Sequence, residues 1–125
     1  MKTAVTIALF CAGGGLTRYY LSGWLYGLLG RAFPYGTFVV NVIGAYLIGV
    51  VMELGLRSTA ISDTLRIGLT VGFMGGLTTF STFSYETFKL LEDGQFITAF
   101  ANVLASVAVC LLLTWLGIVT IRSIS

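Results

Sequence analysis

Charged residues are so sparse in this chain that they leave three unbroken uncharged stretches, Ala32 to Met52, Ile67 to Tyr85 and Gly94 to Ile121. Each matches the roughly 20 apolar residues that a helix needs to cross the hydrocarbon of a bilayer. Of all 125 residues only 10% are charged and 57% are hydrophobic, whereas an average soluble domain has about a quarter of its residues charged. With so little polar surface, a chain of this size cannot cover its own core in water. The expected solvent is therefore the bilayer. Four spanning helices take about 80 residues, so the expected fold is an all-α integral membrane protein, a single four-helix transmembrane domain over residues 1–125.

The first helix is less clean than the others. Thr3 to Thr17 is uncharged, Arg18 interrupts, and Tyr19 to Gly30 resumes. This region reads as one long, tilted or bent helix that carries Gly13-Gly14-Gly15 and Arg18 inside it. Helices are then expected near residues 4–29, 34–54, 64–89 and 95–121. Turn signals separate them: Gly30-Arg31-Ala32-Phe33-Pro34, the polar run around Ser58, Thr59, Ser62 and Asp63, and Glu92-Asp93-Gly94. Ser62 or Asp63 suits an N-cap of the third helix. Lys2 followed by Thr3 to Cys11 has the basic-then-apolar order of a signal peptide. Phe10, however, is bulky where a cleavage site needs a small residue, and more membrane-like sequence follows, so Met1 is expected to be kept.

The formal net charge of +2, from seven Lys and Arg against five Asp and Glu, is too weak and dispersed for nucleic acid. Cys11 and Cys110 stand alone in apolar segments of a chain without His, which fits small core residues rather than metal ligands. Four spans place both termini and the loop between helices two and three on one side, with Lys2, Arg57, Arg66 and Arg122. Arg31 and Lys89, and by its position Arg18, fall toward the other. Orientation by the positive-inside rule needs a clear asymmetry. The near balance permits insertion in both orientations and an antiparallel dimer, although a bias of one or two residues also suffices to set one orientation.

Polar groups are expensive inside hydrocarbon, so their positions carry the functional signal. The densest run lies in the third helix, Gly72-Phe73-Met74-Gly75-Gly76-Leu77-Thr78-Thr79-Phe80-Ser81-Thr82-Phe83-Ser84. Paired glycines followed by paired β-branched threonines make a poor helix interior, which predicts a break between Gly75 and Thr79. A break frees backbone carbonyls, suited to a small cation, and N–H groups, suited to an anion. Close helix packing by small residues is the alternative use of the same glycines. Past the break, Phe80, Phe83 and Thr87 share one side, and Ser81, Ser84 and Phe88 form a neighbouring stripe. A phenyl ring has a positive edge, so ring edges beside hydroxyl donors offer an anion a weakly polar lining that binds without trapping. Phenylalanines at this spacing also serve simply as lipid-facing or core bulk.

Thr37, Asn41 and Gly44 share one face of the second helix. The Asn41 amide sits among Val39, Val40, Val42 and Ile43, where it either donates to an anion or hydrogen-bonds across a helix interface. Asn102, Ser106, Cys110 and Thr114 form a stripe on the fourth helix that suits helix packing. Glu86 is spaced to pair with Lys89 at i+3 or to stand at a pore mouth. With no His, no carboxylate pair and no activated nucleophile, the chain is not expected to be an enzyme.

Taken together, Gly13-Gly14-Gly15-Leu16-Thr17-Arg18-Tyr19, Gly36-Thr37-Phe38-Val39-Val40-Asn41-Val42-Ile43-Gly44 and Gly75-Gly76-Leu77-Thr78-Thr79-Phe80-Ser81-Thr82-Phe83-Ser84 closely resemble the Fluc family of microbial fluoride channels, also called CrcB. The resemblance spans the whole chain. It implies an antiparallel, dual-topology homodimer in the cell inner membrane, with two pores that export fluoride passively and exclude chloride. Phe80 and Phe83 would be the pore phenylalanines and Asn41 the pore amide. Ser81, Thr82 and Ser84 would line the polar path with Thr37 nearby, joined by Ser106 and Thr114 from the fourth helix. Arg18 and Glu86 would belong to the vestibule. The carbonyls of Gly75 and Thr78 would hold a structural Na+ at the dimer interface. The choice of fluoride over chloride is implied by the resemblance alone. A small multidrug exporter would need an intramembrane carboxylate, which the first helix lacks. A non-transporting accessory subunit would use the same motifs only for packing.

Overall fold

The computed structural model describes residues 1–124. Helices α1 (Lys2–Leu29) and α2 (Tyr35–Arg57) are continuous, and Gly30, at φ 83°, ends the first in a conformation that only glycine adopts freely. The third expected helix is in pieces: α3 (Asp63–Ile67), a π-helical stretch over Gly68–Met74, α4 (Gly75–Leu77) and, after two extended residues, α5 (Phe80–Glu92). Gly94, at φ 76°, turns the chain into α6 (Phe96–Ile124). Ser62 caps α3 by accepting from Leu65 N–H at 3.1 Å, as its position before an acidic first turn predicts. Periodicity does not reveal the π-helical stretch, because its wider turns keep the same apolar composition.

Close backbone approach organises the packing. Along α1, the π-helical stretch and α4 lie against the glycine run: a Cβ on Gly14 would collide with the Phe73 carbonyl, and one on Gly76 would come within 2.6 Å of the Cys11 carbonyl. Helices α2 and α6 form the other main contact. Small residues at helix crossings, which let dispersion contacts accumulate, do this in lipid, where apolar burial offers no gain.

Leu77, Val40 and Asn102 are the largest fully buried side chains, so the core is small. The outer surface is apolar, with Leu9, Leu16, Trp24, Leu104, Leu111 and Trp115 more than half exposed. Such a surface needs a cover other than water. Helices α2 and α6 are each long and apolar enough to cross a membrane.

Charge gathers at the two ends of α2. At its C-terminal end the buried Glu53 accepts from Arg57 Nε at 2.8 Å and from Arg122 Nε at 3.0 Å, tying α2 to the end of α6. Two cations satisfy a carboxylate that desolvation would otherwise penalise. At the N-terminal end Arg31 and Lys89 border one cavity with Asp93 and Pro34.

Candidate functional site

The break falls on Thr78 and Thr79, both extended, at φ −92° and ψ 158° and at φ −153° and ψ 116°. Extended backbone suits β-branched side chains, which is why the helix parts at the threonines rather than at the glycines before them. The hydrogen bonds at this point determine what the break exposes. Thr79 N–H, which a continuous helix would return to the Gly75 carbonyl, donates instead to Asn41 Oδ1 at 2.7 Å. Thr82 N–H, which would return to Thr78, donates to Thr79 Oγ1 at 3.1 Å as the cap of α5. The carbonyls of Gly75 and Thr78 thereby lose their helical donors. The Gly76 carbonyl does find a donor, Arg18 Nε at 3.0 Å, a cation at the negative end of the interrupted helix.

Asn41 clamps the break from both sides, since its Nδ2 also donates to the Thr79 carbonyl at 3.1 Å. The amide thus makes a paired interaction with one backbone unit across a helix interface. Its remaining N–H is its only spare donor.

Two cavities flank the break. The larger is a groove of about 520 Å³ that brings together Asn41, Gly75, Thr78, Phe80, Phe83, Ser106 and Thr114 from three separate parts of the chain. The rings of Phe80 and Phe83 lie 5.5 Å apart at 44°, and Phe80 is 78% exposed. The second cavity, of about 270 Å³, gathers more charged and hydroxyl-bearing residues, beside Tyr19, Gly23 and Val40. Arg18, Ser22, Tyr26, Arg31, Thr37, Thr79, Thr82 and Glu86 line it. The expected site residues therefore divide between two sides of one break. Ser81 and Ser84 are exposed and belong to neither cavity, although Ser81 Oγ lies 3.3 Å from Thr79 Oγ1.

On α6, Asn102 Nδ2 donates to Thr87 Oγ1 at 2.9 Å, Ser106 Oγ donates to Asn102 Oδ1 at 3.3 Å, and Thr114 Oγ1 donates to the Ala45 carbonyl at 2.9 Å. Both Ser106 and Thr114 have thus committed their protons to packing partners while lining the groove. Glu86 does not pair with Lys89, which goes to Glu92 at 3.1 Å; Glu86 Oε2 accepts from the Tyr26 hydroxyl at 2.6 Å. Sequence reasoning passed over Tyr26. Its signal was present all the same, because a phenol inside an apolar helix must find a partner.

The family model for CrcB-like proteins (camphor resistance, CrcB) matches residues 5–118. The chain belongs to the CrcB family. A CrcB relative from Trichlorobacter lovleyi is 86% identical over 125 residues, covering all of both chains. Another from Pelobacter propionicus is 75% identical over 124 residues, 99% of this chain and 96% of the relative. A third, from Geobacter sulfurreducens, is 62% identical over 124 residues, 99% of this chain and 100% of its own. All three are named fluoride-specific ion channel FluC. With its apolar helices, this CrcB chain is a membrane protein.

Proposed function

We propose that this chain is a fluoride-selective channel that lets cytoplasmic fluoride leave passively across the cell inner membrane. The observation that carries the reading is the full-length, 86% identity to a relative named a fluoride-specific ion channel. The geometry supports it physically. Phe80 and Phe83 stand together at the start of α5, beside the Asn41 amide, in one groove. Ring edges and the N-terminus of α5 both favour negative charge without a fixed cation. A passing anion is held weakly enough to leave. Ser81, Thr82, Ser84 and Thr37 would extend the polar path, Ser106 and Thr114 would complete the groove wall, and Arg18 and Glu86 would border the vestibule.

In this reading the protein crosses the membrane four times and pairs with a second copy in antiparallel, dual-topology fashion, making two pores. The exposed ring of Phe80 and the open apolar groove fit a surface that a second copy covers. Na+ would sit at that interface on the carbonyls of Gly75 and Thr78. These oxygens fit the ion, because the donors that would occupy them in a continuous helix are taken by Asn41 and Thr79, and unwound carbonyls are suited to Na+. A bound cation would offset the negative end of α4 and stabilise the pair.

The deciding experiment is efflux from liposomes that hold the purified protein, following fluoride and chloride with ion-selective electrodes and a K+ ionophore to balance charge. Rapid fluoride release with chloride retained is expected. No release of either ion from folded protein overturns the channel in favour of an accessory subunit. For the cation, exchanging Na+ for a large organic cation is expected to lower the thermal stability of the solubilised dimer; equal stability removes the Na+ site.

A further inference from the structure

Tyr26, Arg31 and Glu86 line both the 270 Å³ cavity and the smaller cavity of about 210 Å³ beside it, and so form the wall between the two. Glu86 is tethered there by a single hydrogen bond. Its Oε2 accepts from Tyr26 at 2.6 Å, while its Oε1 is buried without a hydrogen-bond partner. Among the described residues no Lys or Arg forms an ion pair with it. A phenol has one proton, and that proton goes to the carboxylate, so Tyr26 must act as acceptor toward its other neighbours. Thr37 supplies both, its hydroxyl at 3.2 Å and its backbone N–H at 3.4 Å.

The phenol is held rigidly for this task. Its ring lies against Gly36, where a Cβ would come within 2.6 Å of the ring, and the Arg31 guanidinium covers it, 4.4 Å from the ring centroid. A cation attracted to the ring face helps to hold the ring in place.

We infer that Tyr26 is a positioning residue that pins the Glu86 carboxylate to the wall of the 270 Å³ cavity, so that the positive charge of Arg18 and Arg31 sets the field an entering anion meets. The inference rests on the channel reading above. Without the phenol hydroxyl, Glu86 keeps no hydrogen bond that holds it in place. Its charge is then free to swing into the cavity and repel anions.

The test compares fluoride efflux from liposomes of the wild type, Tyr26→Phe, Glu86→Gln and the double variant, each first shown to elute as the same oligomer. Tyr26→Phe keeps the ring and its packing, and is expected to slow efflux roughly three- to ten-fold, as a unit charge moved several ångströms nearer the path would do. Raising potassium gluconate from about 0.01 M to about 1 M, which shortens the Debye length from about 30 to about 3 Å, is expected to remove most of that loss. In the Glu86→Gln background the same change is expected to cost little. Should Glu86→Gln abolish efflux by itself, the salt series decides alone. Unchanged efflux in Tyr26→Phe overturns the inference, as does a loss that persists at high salt or, where Glu86→Gln still conducts, in its background. A wild type that passes no fluoride overturns the channel reading instead, and with it this one.

Discussion

Residues 63–77 and α5 stand on either side of Thr78 and Thr79 and meet their surroundings in opposite ways. Before the break, Gly68, Gly72, Met74, Gly76 and Leu77 are buried against α1 and α2. After it, Leu90 is the only buried residue of α5, and Phe80, Tyr85 and Phe88 are exposed by 60% or more. The first half sets Gly68, Gly72 and Gly76 where α1 comes closest and buries Met74 and Leu77 beside them, and so its backbone sits where it must. The second half carries large aromatic and hydroxyl side chains, several of which the chain's own packing leaves uncovered. One half therefore fixes the position of the break, and the other presents chemistry from it.

Substitutions sharpen this division. The largest effect is expected from Gly14→Leu, which drives a side chain into the Phe73 carbonyl; no monodisperse folded protein should survive size-exclusion chromatography, and Gly14→Ala should cost about 1–3 kcal/mol. Next come Phe80→Ile and Phe83→Ile, which keep apolar bulk and lose the ring quadrupole. Each is expected to cut fluoride efflux at least about ten-fold while shifting stability by less than about 1 kcal/mol, since Phe80 is exposed, Phe83 is only half-buried and isoleucine keeps most of the bulk. If either destabilises the protein as strongly as the glycine variants, the division between the halves is broken. Asn41→Ala is expected to cost the fold about 1–3 kcal/mol, because it leaves the Thr79 N–H and carbonyl without their partner. A thermal melt in detergent reads it. Asn41→Asp keeps the acceptor for Thr79 N–H and should recover part of that stability, which ascribes the loss to the clamp.

Much of the break was legible in sequence, because glycine pairs and β-branched pairs are local liabilities that no packing removes. The stretch Gly75 to Thr79 contains it, and the structure narrows it to Thr78 and Thr79. Asn41 was legible as a buried amide with two uses open, and its attachment to Thr79 comes from a different helix. Arg18 was read as a charge inside a span, yet its acceptor, the Gly76 carbonyl, lies 58 residues away. Glu86 had a plausible local partner in Lys89. Tyr26, 60 residues away, holds it instead.

By itself the sequence determined that this chain is helical and apolar on its outside, where its helices begin and end within a few residues, and that the third of them cannot run through. These properties follow from composition and from preferences that each residue carries in any context. Only the tertiary structure decided which donor meets which acceptor: Asn41 with Thr79, Arg18 with Gly76, Arg122 with Glu53 and Tyr26 with Glu86. The physical reason is that such bonds join groups from helices far apart in sequence. Their partners are set by the close approach of backbones at small residues, and no local pattern records which helix will come to lie alongside.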